Sequence, residues 1–405
     1  MFGGTMNKKT LRDYDFDGKQ VLVRVDFNVP FQDGNIVDDS RIKGALPTIK
    51  YLLENNAKIV ICSHMGRPDG KKDMKYTLKP IADHLAKLLQ HDVLFVEDIY
   101  GENTKPLLDD LEPGDIVLLE NLRFYKQEEE CEQEFAKKLA SFADIYVNDA
   151  FGTMHRKHAS TYAVAKILPS AVGMLVEKEL QAFSHLDEPA RPLVAILGGA
   201  KVADKLPLIE HLLDVADTIL IGGGMSYTFI KAIGGEVGDS MVDESKIDLA
   251  LKIIDKAKEK DVKLVLPIDV KLVLPIDNVC ASEFKPDADR KTFNSAFMST
   301  GYQGMDIGPK TRRIFKKHIL TAKTIVWNGP MGVYEFPRFA KGTIKIAKAV
   351  AKSKAFSIIG GGDSAASIKS LRLCKKVGHI STGGGVSLKL LEGKTLPALE
   401  VISDK

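Results

Sequence analysis

The residues able to do chemistry fall into two sets of different kind. Along the first half of the chain, apolar runs end in charged or hydrogen-bonding side chains. VLVRVDFN closes on Asp26 and Asn28, IVICSHMGRP on His64 and Arg67, IVLLENLRF on Arg123, and YVNDAFGTMHRKH on Arg156. Along the second half such runs end in glycine: LVAILGGAK (Gly198, Gly199, then Lys201), TILIGGGM (Gly222 to Gly224), FSIIGGGDS (Gly360 to Gly362, then Asp363) and HISTGGG (Gly383 to Gly385). Guanidinium groups hold carboxylates and phosphates through paired hydrogen bonds. Arginines at consecutive strand ends, with Arg41 close by in sequence, therefore point to a small dianionic substrate. Asp26 and Asn28 share one face of their strand end and suit a hydroxyl group. Arg24, two residues earlier and inside the strand, is expected to point elsewhere.

Glycine at a strand-to-helix turn lets backbone N–H groups approach phosphate oxygens, and the helix that follows adds a favourable dipole. Four such turns point to a large phosphorylated ligand. Lys201 and Lys205, four residues apart, are expected on one helical face, where they would neutralise phosphate charge. Asp363, directly after a glycine run at an expected helix start, suits either an N-cap or a ligand for phosphate-bound Mg²⁺, and the two roles can coexist. The common nucleotide signatures are absent: a Walker A loop would need glycine where Leu388 stands. Gly360, Gly362 and Ala365 follow the G-x-G-x-x-A spacing, but no acidic partner for a dinucleotide ribose follows. His155 and His158 have no third metal ligand near them in sequence, so zinc is not expected.

The elements that must position these groups alternate between short apolar, β-branched runs and helical patterns, the arrangement of parallel α/β layering. Strands are predicted near 20–26, 58–63, 92–97, 115–120 and 145–148, and again at 193–197, 218–221, 324–327, 356–359 and 379–381. Helical periodicity marks 46–56 and 78–90, and 171–186 reads as one amphipathic helix. The chain's 405 residues exceed one comfortable core. The expectation is an α/β protein of two domains with parallel sheets flanked by helices: residues 1–170, a joining helix 171–186, and 187–405, with the last residues returning toward the hinge. Ligands of such sheets sit outside the carboxyl ends of the strands, where both residue sets fall.

A net charge of +3 is too small to point to nucleic acid or a membrane as partner. Four widely spaced cysteines, Cys62, Cys131, Cys280 and Cys374, read as free thiols of a reducing compartment. With no secretory leader pattern and no apolar run long enough to span a bilayer, a cytoplasmic location is expected. One feature is anomalous: VKLVLPID occupies residues 262–269 and again, unchanged, 270–277. The eight-residue shift is even, so either copy presents the same side chains to the same layer. The downstream copy is favoured for the central sheet position, because it keeps Asp277 and Asn278 at a strand end. The duplication itself reads as a recent, engineered or artefactual insertion without a function of its own.

Taken in order, RVDFNVP, SHMGRP, LENLRF, NDAFGTMHRKHAS, LGGAKVADK, IGGGM, WNGPMGVYE, GGGDS and STGGG resemble the phosphoglycerate kinase family over nearly the whole chain. The resemblance implies two Rossmann-like domains, hinge-bending closure, and reversible in-line phosphoryl transfer from 1,3-bisphosphoglycerate to Mg-ADP in a monomeric enzyme of glycolysis. It places the triose substrate on Asp26, Phe27, Asn28, Arg41, His64, Met65, Gly66, Arg67, Arg123 and Arg156. It places ADP or ATP on Gly199, Lys201, Lys205, Gly224, Gly304, Asn328, Glu335, Gly361, Gly362, Asp363 and Ser364. Arg41, Lys201, Gly361 and Gly362 would assist transfer, Glu335 would receive the ribose hydroxyls, and Asp363 would hold Mg²⁺ through the phosphates. Ser364 stands where the family usually has threonine, Met154 and Lys157 vary the motif around Arg156, and the doubled VKLVLPID is the main departure. Two other readings stay open: a nicotinamide-dependent dehydrogenase on a doubly wound sheet, and a non-catalytic variant of the scaffold, for which the duplication is the best argument.

Overall fold

The computed structural model of the chain describes residues 7–259 and 271–405. Two compact units result, one comprising Met1–Ser184 with Thr395–Lys405, the other His185–Lys394.

The first unit is built on six parallel strands, β1 (Gln20–Val25), β2 (Lys58–Cys62), β3 (Leu94–Val96), β4 (Ile116–Leu119), β5 (Ile145–Asp149) and β6 (Ser170–Val172), in the order β3-β4-β2-β1-β5-β6. Sheets covered on both faces read as continuous apolar runs, and β2 and β4 are buried almost throughout. The chain leaves β1 for one side of the sheet and returns on the other as β5, so the topological switch lies at β1. Helix α1 (Ser40–Glu54) begins six residues before the predicted start and runs through Pro47. Ile42, Ala45, Ile49 and Leu52 bury one face of it, a helical period that the polar side chains between them obscure. The early start puts Arg41 in the first turn. Helix α2 (Lys79–Leu89) ends at Gln90 in a left-handed conformation, and α3 (Gln133–Ala140) buries Phe135 and Leu139.

The predicted helix 171–186 is corrected. Ala171 and Val172 pair with Val147 and Asn148 as the edge strand β6, and helix α4 runs Met174–Ser184. Asp149 explains the break, since its Oδ1 accepts the N–H groups of Leu175 (2.9 Å) and Val176 (3.3 Å) and so fixes where the helix starts. The last residues fold back on the start of the chain: Lys9 N–H donates to Ser403 and Lys405 N–H to Asn7.

The second unit has β7 (Leu193–Leu197), β8 (Thr218–Ile221), β9 (Lys271–Val273), β10 (Asp277–Ala281), β11 (Arg290–Asn294), β12 (Gln303–Ile307), β13 (Thr324–Asn328), β14 (Phe356–Gly360) and β15 (His379–Ile380). Six of these form a parallel sheet in the order β9-β8-β7-β13-β14-β15, with the switch between β7 and β13. A second sheet, β11-β10-β12, is antiparallel and was not expected. Its β11 is largely exposed and carries no apolar run to announce it. Of the repeated segment, the downstream copy supplies β9, which pairs with β8 at the edge of the sheet and not at its centre. The upstream copy, 262–269, lies outside the described residues. The downstream copy ends on Asp277, whose carboxylate accepts the N–H groups of Lys310 (3.0 Å) and Thr311 (2.8 Å). The helices are α5 (Leu206–Val215), α6 (Met225–Ala232), α7 (Ile247–Glu259), α8 (Pro309–Thr321), α9 (Lys341–Lys352), α10 (Gly362–Ser370) and α11 (Gly385–Leu391).

Candidate active site

In the first unit the loops after β1, β2 and β4 are stitched together by side-chain hydrogen bonds to backbone. Asn28 Oδ1 accepts Gly66 N–H at 3.0 Å, and Ser63 Oγ accepts Phe27 N–H at 2.9 Å. Asn121, fully buried, makes four bonds: Oδ1 accepts from Met65 N and Arg123 N, both at 3.0 Å, and Nδ2 donates to Met65 O (2.8 Å) and Tyr76 O (2.9 Å). Gly66 sits at φ +60°, where a Cβ would lie 2.3 Å from the Tyr76 ring, so the turn needs glycine. Arg123, 4% exposed, donates Nη1 to Gly66 O, and its Nε lies 3.4 Å from Glu129 without a hydrogen bond. Asn121, Ser63 and Glu128 had no part in the sequence reading. Ser63 and Asn121 each follow an apolar run closely, whereas Glu128, inside a stretch of acidic residues, carried no such signal.

These loops gather guanidinium groups around His64. The imidazole is buried, and burial lowers its pKa well below the usual histidine range, with Arg24, Arg123, Arg156 and Arg41 adding repulsion in that order. Arg24 corrects the expectation that it points elsewhere. It is 1% exposed, donates Nη1 to Val25 O and Nε to Ser160 Oγ (2.8 Å), and its Nη2 lies 3.2 Å from His64 Nδ1. A guanidinium can only donate, so His64 Nδ1 accepts and the ring proton sits on Nε2. His64 is thus a neutral donor inside a cationic cluster. Below it, Glu128, fully buried, accepts from Ser160 N (2.9 Å) and Ser160 Oγ (2.6 Å). Desolvation raises its pKa while Arg24 opposes the rise. His158 is held down to about 3, first by burial and then by Arg24, Arg156 and Arg123.

Arg41 Nη1 holds both oxygens of Asp26, at 2.9 and 2.8 Å, while remaining 40% exposed. A cation in the first turn of a helix opposes the macrodipole, and the Asp26 pair offsets that. Arg156 donates Nε to His155 at 3.3 Å. Arg67 is exposed and is not among the groups that repel His64. Phe27 and Met65 are buried, and the Phe27 backbone N–H is taken by Ser63.

In the second unit the switch point brings two glycine turns into contact. A Cβ on Gly198 would lie 2.0 Å from Pro330 O, and one on Gly329 (φ +99°) would lie 2.2 Å from Gly198 O. The N–H groups of Gly198, Gly199, Gly222 and Gly223 are used inside this packing, on Asn328 O, Pro330 O, Leu197 O and Met331 O. Not every glycine turn therefore offers free backbone, as the sequence suggested. The turns before α10 and α11 do differ: a Cβ at Gly362, Gly384 or Gly385 would meet nothing within 4 Å. The first N–H groups of a helix have no carbonyl of their own helix to bond.

Two hollows open at these strand ends. One, of about 570 Å³, is lined by Gly199, Lys201, Lys205, Asn328, Gly361, Gly362, Asp363, Gly384 and Gly385 among others. The second, of about 250 Å³, has Met241, Phe284 and Val333 on its walls, with Gly224, Gly304 and Glu335 also lining it. Both include Gly199, Ala200, Pro330 and Asp363 in their walls. Lys201 precedes the short 3₁₀ turn Ala203–Lys205 that leads into α5, so it does not share a helical face with Lys205, although both reach the larger hollow. Pro207 explains the late start, since the ring suits the first turn of a helix and not its interior. Lys205 Nζ donates to Asn328 Oδ1, and burial lowers its pKa. Asn328 is 1% exposed, and its Nδ2 is buried with no partner. Two expected ligand residues are turned to internal work: Ser364 Oγ accepts Gly329 N–H at 2.7 Å, and Gly304 N–H donates to Ser240 Oγ at 2.8 Å.

Among the described residues no group of three or more His, Cys, Asp or Glu side chains is placed to hold a metal ion. All four cysteines are free, and none of the described helices is long and apolar enough to cross a membrane.

The family described as Phosphoglycerate kinase matches residues 11–394. A phosphoglycerate kinase of Clostridium tetani (strain Massachusetts / E88) is 50% identical over 403 residues, covering 98% of each chain. One from Clostridium botulinum (strain Hall) is 52% identical over 403 residues, covering 98% of this chain and 99% of the relative. Among solved structures, phosphoglycerate kinase from Coxiella burnetii superposes with a TM-score of 0.89 at 40% identity over 98% of both chains. That from Pyrococcus horikoshii OT3 gives 0.83 at 36% identity, over 97% of this chain and 98% of the other.

Proposed function

The chain belongs to the phosphoglycerate kinase family, and from that premise we propose how its two units divide the reaction. The enzyme transfers a phosphoryl group between 1,3-bisphosphoglycerate and ADP, giving 3-phosphoglycerate and ATP, a step of glycolysis. The triose is held on the first unit and the nucleotide on the second. The observation that carries this division is the pair of adjoining hollows: a slot walled by Phe284, Met241 and Val333 for a base, joined at Gly199 and Asp363 to a lysine- and glycine-lined basin for phosphates.

In this reading Arg123, Arg156 and Arg41 take the phosphate and carboxylate of the triose, and Asp26 and Asn28 take its hydroxyl. His64 donates from Nε2. Arg67, exposed at the rim, meets the same ligand's charge. Met65 and Gly66 shape the turn, and Phe27 fixes it from below. On the nucleotide side Glu335 receives the ribose hydroxyls, Gly224 and Gly304 leave room for the base, and Lys205 with Asn328 anchors the phosphate basin. Ser364 acts through Gly329. Arg41 and Lys201 flank the migrating group, with Gly361 and Gly362 N–H groups beside it. Phosphoryl transfer needs positioning and charge neutralisation, with little covalent work by protein. Among the described residues no serine, cysteine or histidine lines the basin, and the reading is direct in-line transfer. Reacting atoms must approach to about 3–3.5 Å, so ligands carried on separate units imply closure of those units during turnover.

Asp363 is an exposed carboxylate at the first turn of α10, on the wall of the basin. One carboxylate fits Mg²⁺, which keeps waters and takes most of its remaining oxygens from substrate phosphates. When bound, the ion neutralises phosphate charge. A monomeric, cytoplasmic enzyme with small-molecule partners is the accompanying expectation.

The test is ATP formation from 1,3-bisphosphoglycerate and ADP in a coupled assay, with a nicotinamide cofactor titrated alongside. Absence of ATP formation by folded protein would favour a non-catalytic scaffold, and saturable nicotinamide binding would favour the dehydrogenase reading.

A further inference from the structure

A surface of one charge sign on the second unit lies in the groove where α8 packs against α9. It encloses about 410 Å³ and shares no lining residue with either hollow. Arg312, Arg313 and Lys316 come from α8, and Lys345, Lys348 and Lys352 from α9. The remaining lining residues are neutral, and none is acidic. The i, i+3, i+7 spacing on α9 puts its three lysines on one face, spread over about 10 Å at 1.5 Å per residue. Five of the six cations are exposed, and none forms an ion pair among the described residues.

Two nearby carboxylates accept backbone N–H groups, although Arg312, which donates Nε to Ile307 O (3.0 Å), still feels the charge of Asp306. Asp277 caps α8 through Lys310 N and Thr311 N. Asp306, 1% exposed, accepts Gly342 N–H (2.7 Å) at the start of α9. Neither helix has an acidic residue in its first turn. Cations near a helix N-terminus work against the macrodipole, and like charges across a groove repel. A concave surface that gathers six of one sign is relieved when an anion enters.

We propose that the α8–α9 groove is a second anion site, binding a small molecule that carries several phosphate groups in a row, of the linear oligophosphate class. Size and chemistry select this class. The volume suits a compact ligand. No aromatic side chain lines the groove, so it lacks the stacking surface with which proteins hold single-stranded nucleic acid. Its apolar lining is Pro309 and Ala349 alone, far short of the face a membrane-surface helix inserts.

The experiment is calorimetric titration of the full-length protein with inorganic tripolyphosphate, with ADP held at saturation so that the nucleotide basin is filled. The expected result is one site per chain at moderate salt, weakened roughly 30-fold in Arg313→Gln/Lys345→Gln/Lys348→Gln at the strength of three exposed charge pairs. ATP-forming kcat and KM and the thermal unfolding midpoint should stay unchanged. Lys345→Arg/Lys348→Arg should retain binding. Unaltered affinity in the triple variant, or no saturable binding by the parent, overturns the proposal. So does binding that Lys201→Gln abolishes, which would place the anion in the nucleotide basin. An RNA oligonucleotide held through the same residues far more tightly than tripolyphosphate would overturn the ligand class.

Discussion

Asn121→Ala is the sharpest test of how the triose site is held. The side chain is fully buried, and its four hydrogen bonds join the turn bearing Met65 and Gly66 to the turn bearing Arg123, with Tyr76 as a third anchor. Truncation strands two N–H groups and two carbonyls at a buried position. At about 1 kcal/mol net per bond the loss is roughly 4 kcal/mol of stability for the first unit. The catalytic effect should be specific. Gly66 O anchors Arg123, and Gly66 N–H is tied to Asn28, so both loops shift when the staple goes. A misplacement of about 1 Å is worth about 100-fold. Urea unfolding followed by circular dichroism gives the stability change, and a coupled assay with each substrate varied in turn gives the kinetic split. kcat/KM for 3-phosphoglycerate should fall about 100-fold while KM for ATP stays within a factor of two or so of the parent. A stability loss below about 1 kcal/mol, or an equal rise in both KM values, would refute the idea that Asn121 positions the site.

Arg41→Ala should reduce turnover severely and leave ADP affinity nearly intact by equilibrium titration; lost ADP binding would put Arg41 on the wrong substrate. Asp363→Ala should shift the Mg²⁺ concentration for half-maximal activity upward, and an unchanged Mg²⁺ response would remove its role at the metal. His158 is held near a pKa of about 3, chiefly by burial, although Glu128 Oε1 lies 3.9 Å from its Nδ1. Its unfolded pKa is about 6.5, so below that pH the unfolded chain takes a proton that the folded one refuses. Stability from this residue is present above pH ~6.5 and declines as pH falls toward 3, by roughly 2 kcal/mol between 6.5 and 5. His158→Gln should flatten that part of the urea-unfolding profile, and an unchanged slope would contradict the assignment. Deleting residues 262–269 should leave ATP-forming activity at least equal to the parent's, because β9 and the Asp277 cap both come from the other copy. Lost activity would mean that the upstream copy is required.

Much of the sheet framework was legible in sequence because parallel strands buried on both faces are written as unbroken apolar runs. Each predicted strand lies within two residues of an observed one at either end. What escaped had no such run. β6 has three residues, and β11 is largely exposed. The site was legible in its charges and obscured in its supports. Arg24 sits inside a strand, and nothing in the spacing tells that a long side chain bends back under His64. Ser63 and Asn121 lie inside quoted motifs without being singled out and Glu128 lies in none, yet all three fix where the arginines stand. The glycine runs were read too uniformly. At β7, β8 and β13 they let backbone pack on backbone, whereas before α10 and α11 the space above them is open. Composition cannot separate those uses, because both need the same missing Cβ.

On the proposed division of ligands, the contrast between the two units follows from what each ligand offers. A triose phosphate has few heavy atoms and almost no apolar surface, so affinity must come from charge. Charged hydrogen bonds work best from groups already held in place. That explains why Arg24 and Arg123 are buried and tied down. Repulsion among the guanidinium groups limits how many can gather, and His64 meets that limit by donating without charge. Protonating it would add a further cation at 3.2 Å from Arg24 and leave Nδ1 with a proton facing a donor. A nucleotide instead brings a flat base and a chain of phosphates. On the proposed assignment the slot beside Phe284 and Met241 would take the apolar part, leaving the phosphates to two lysines and helix-start N–H groups in the basin. Fewer fixed cations also hold ATP less tightly. A chain that must release ATP in one direction and ADP in the other gains turnover from that restraint, because binding both nucleotides more strongly lowers KM without raising the rate of transfer.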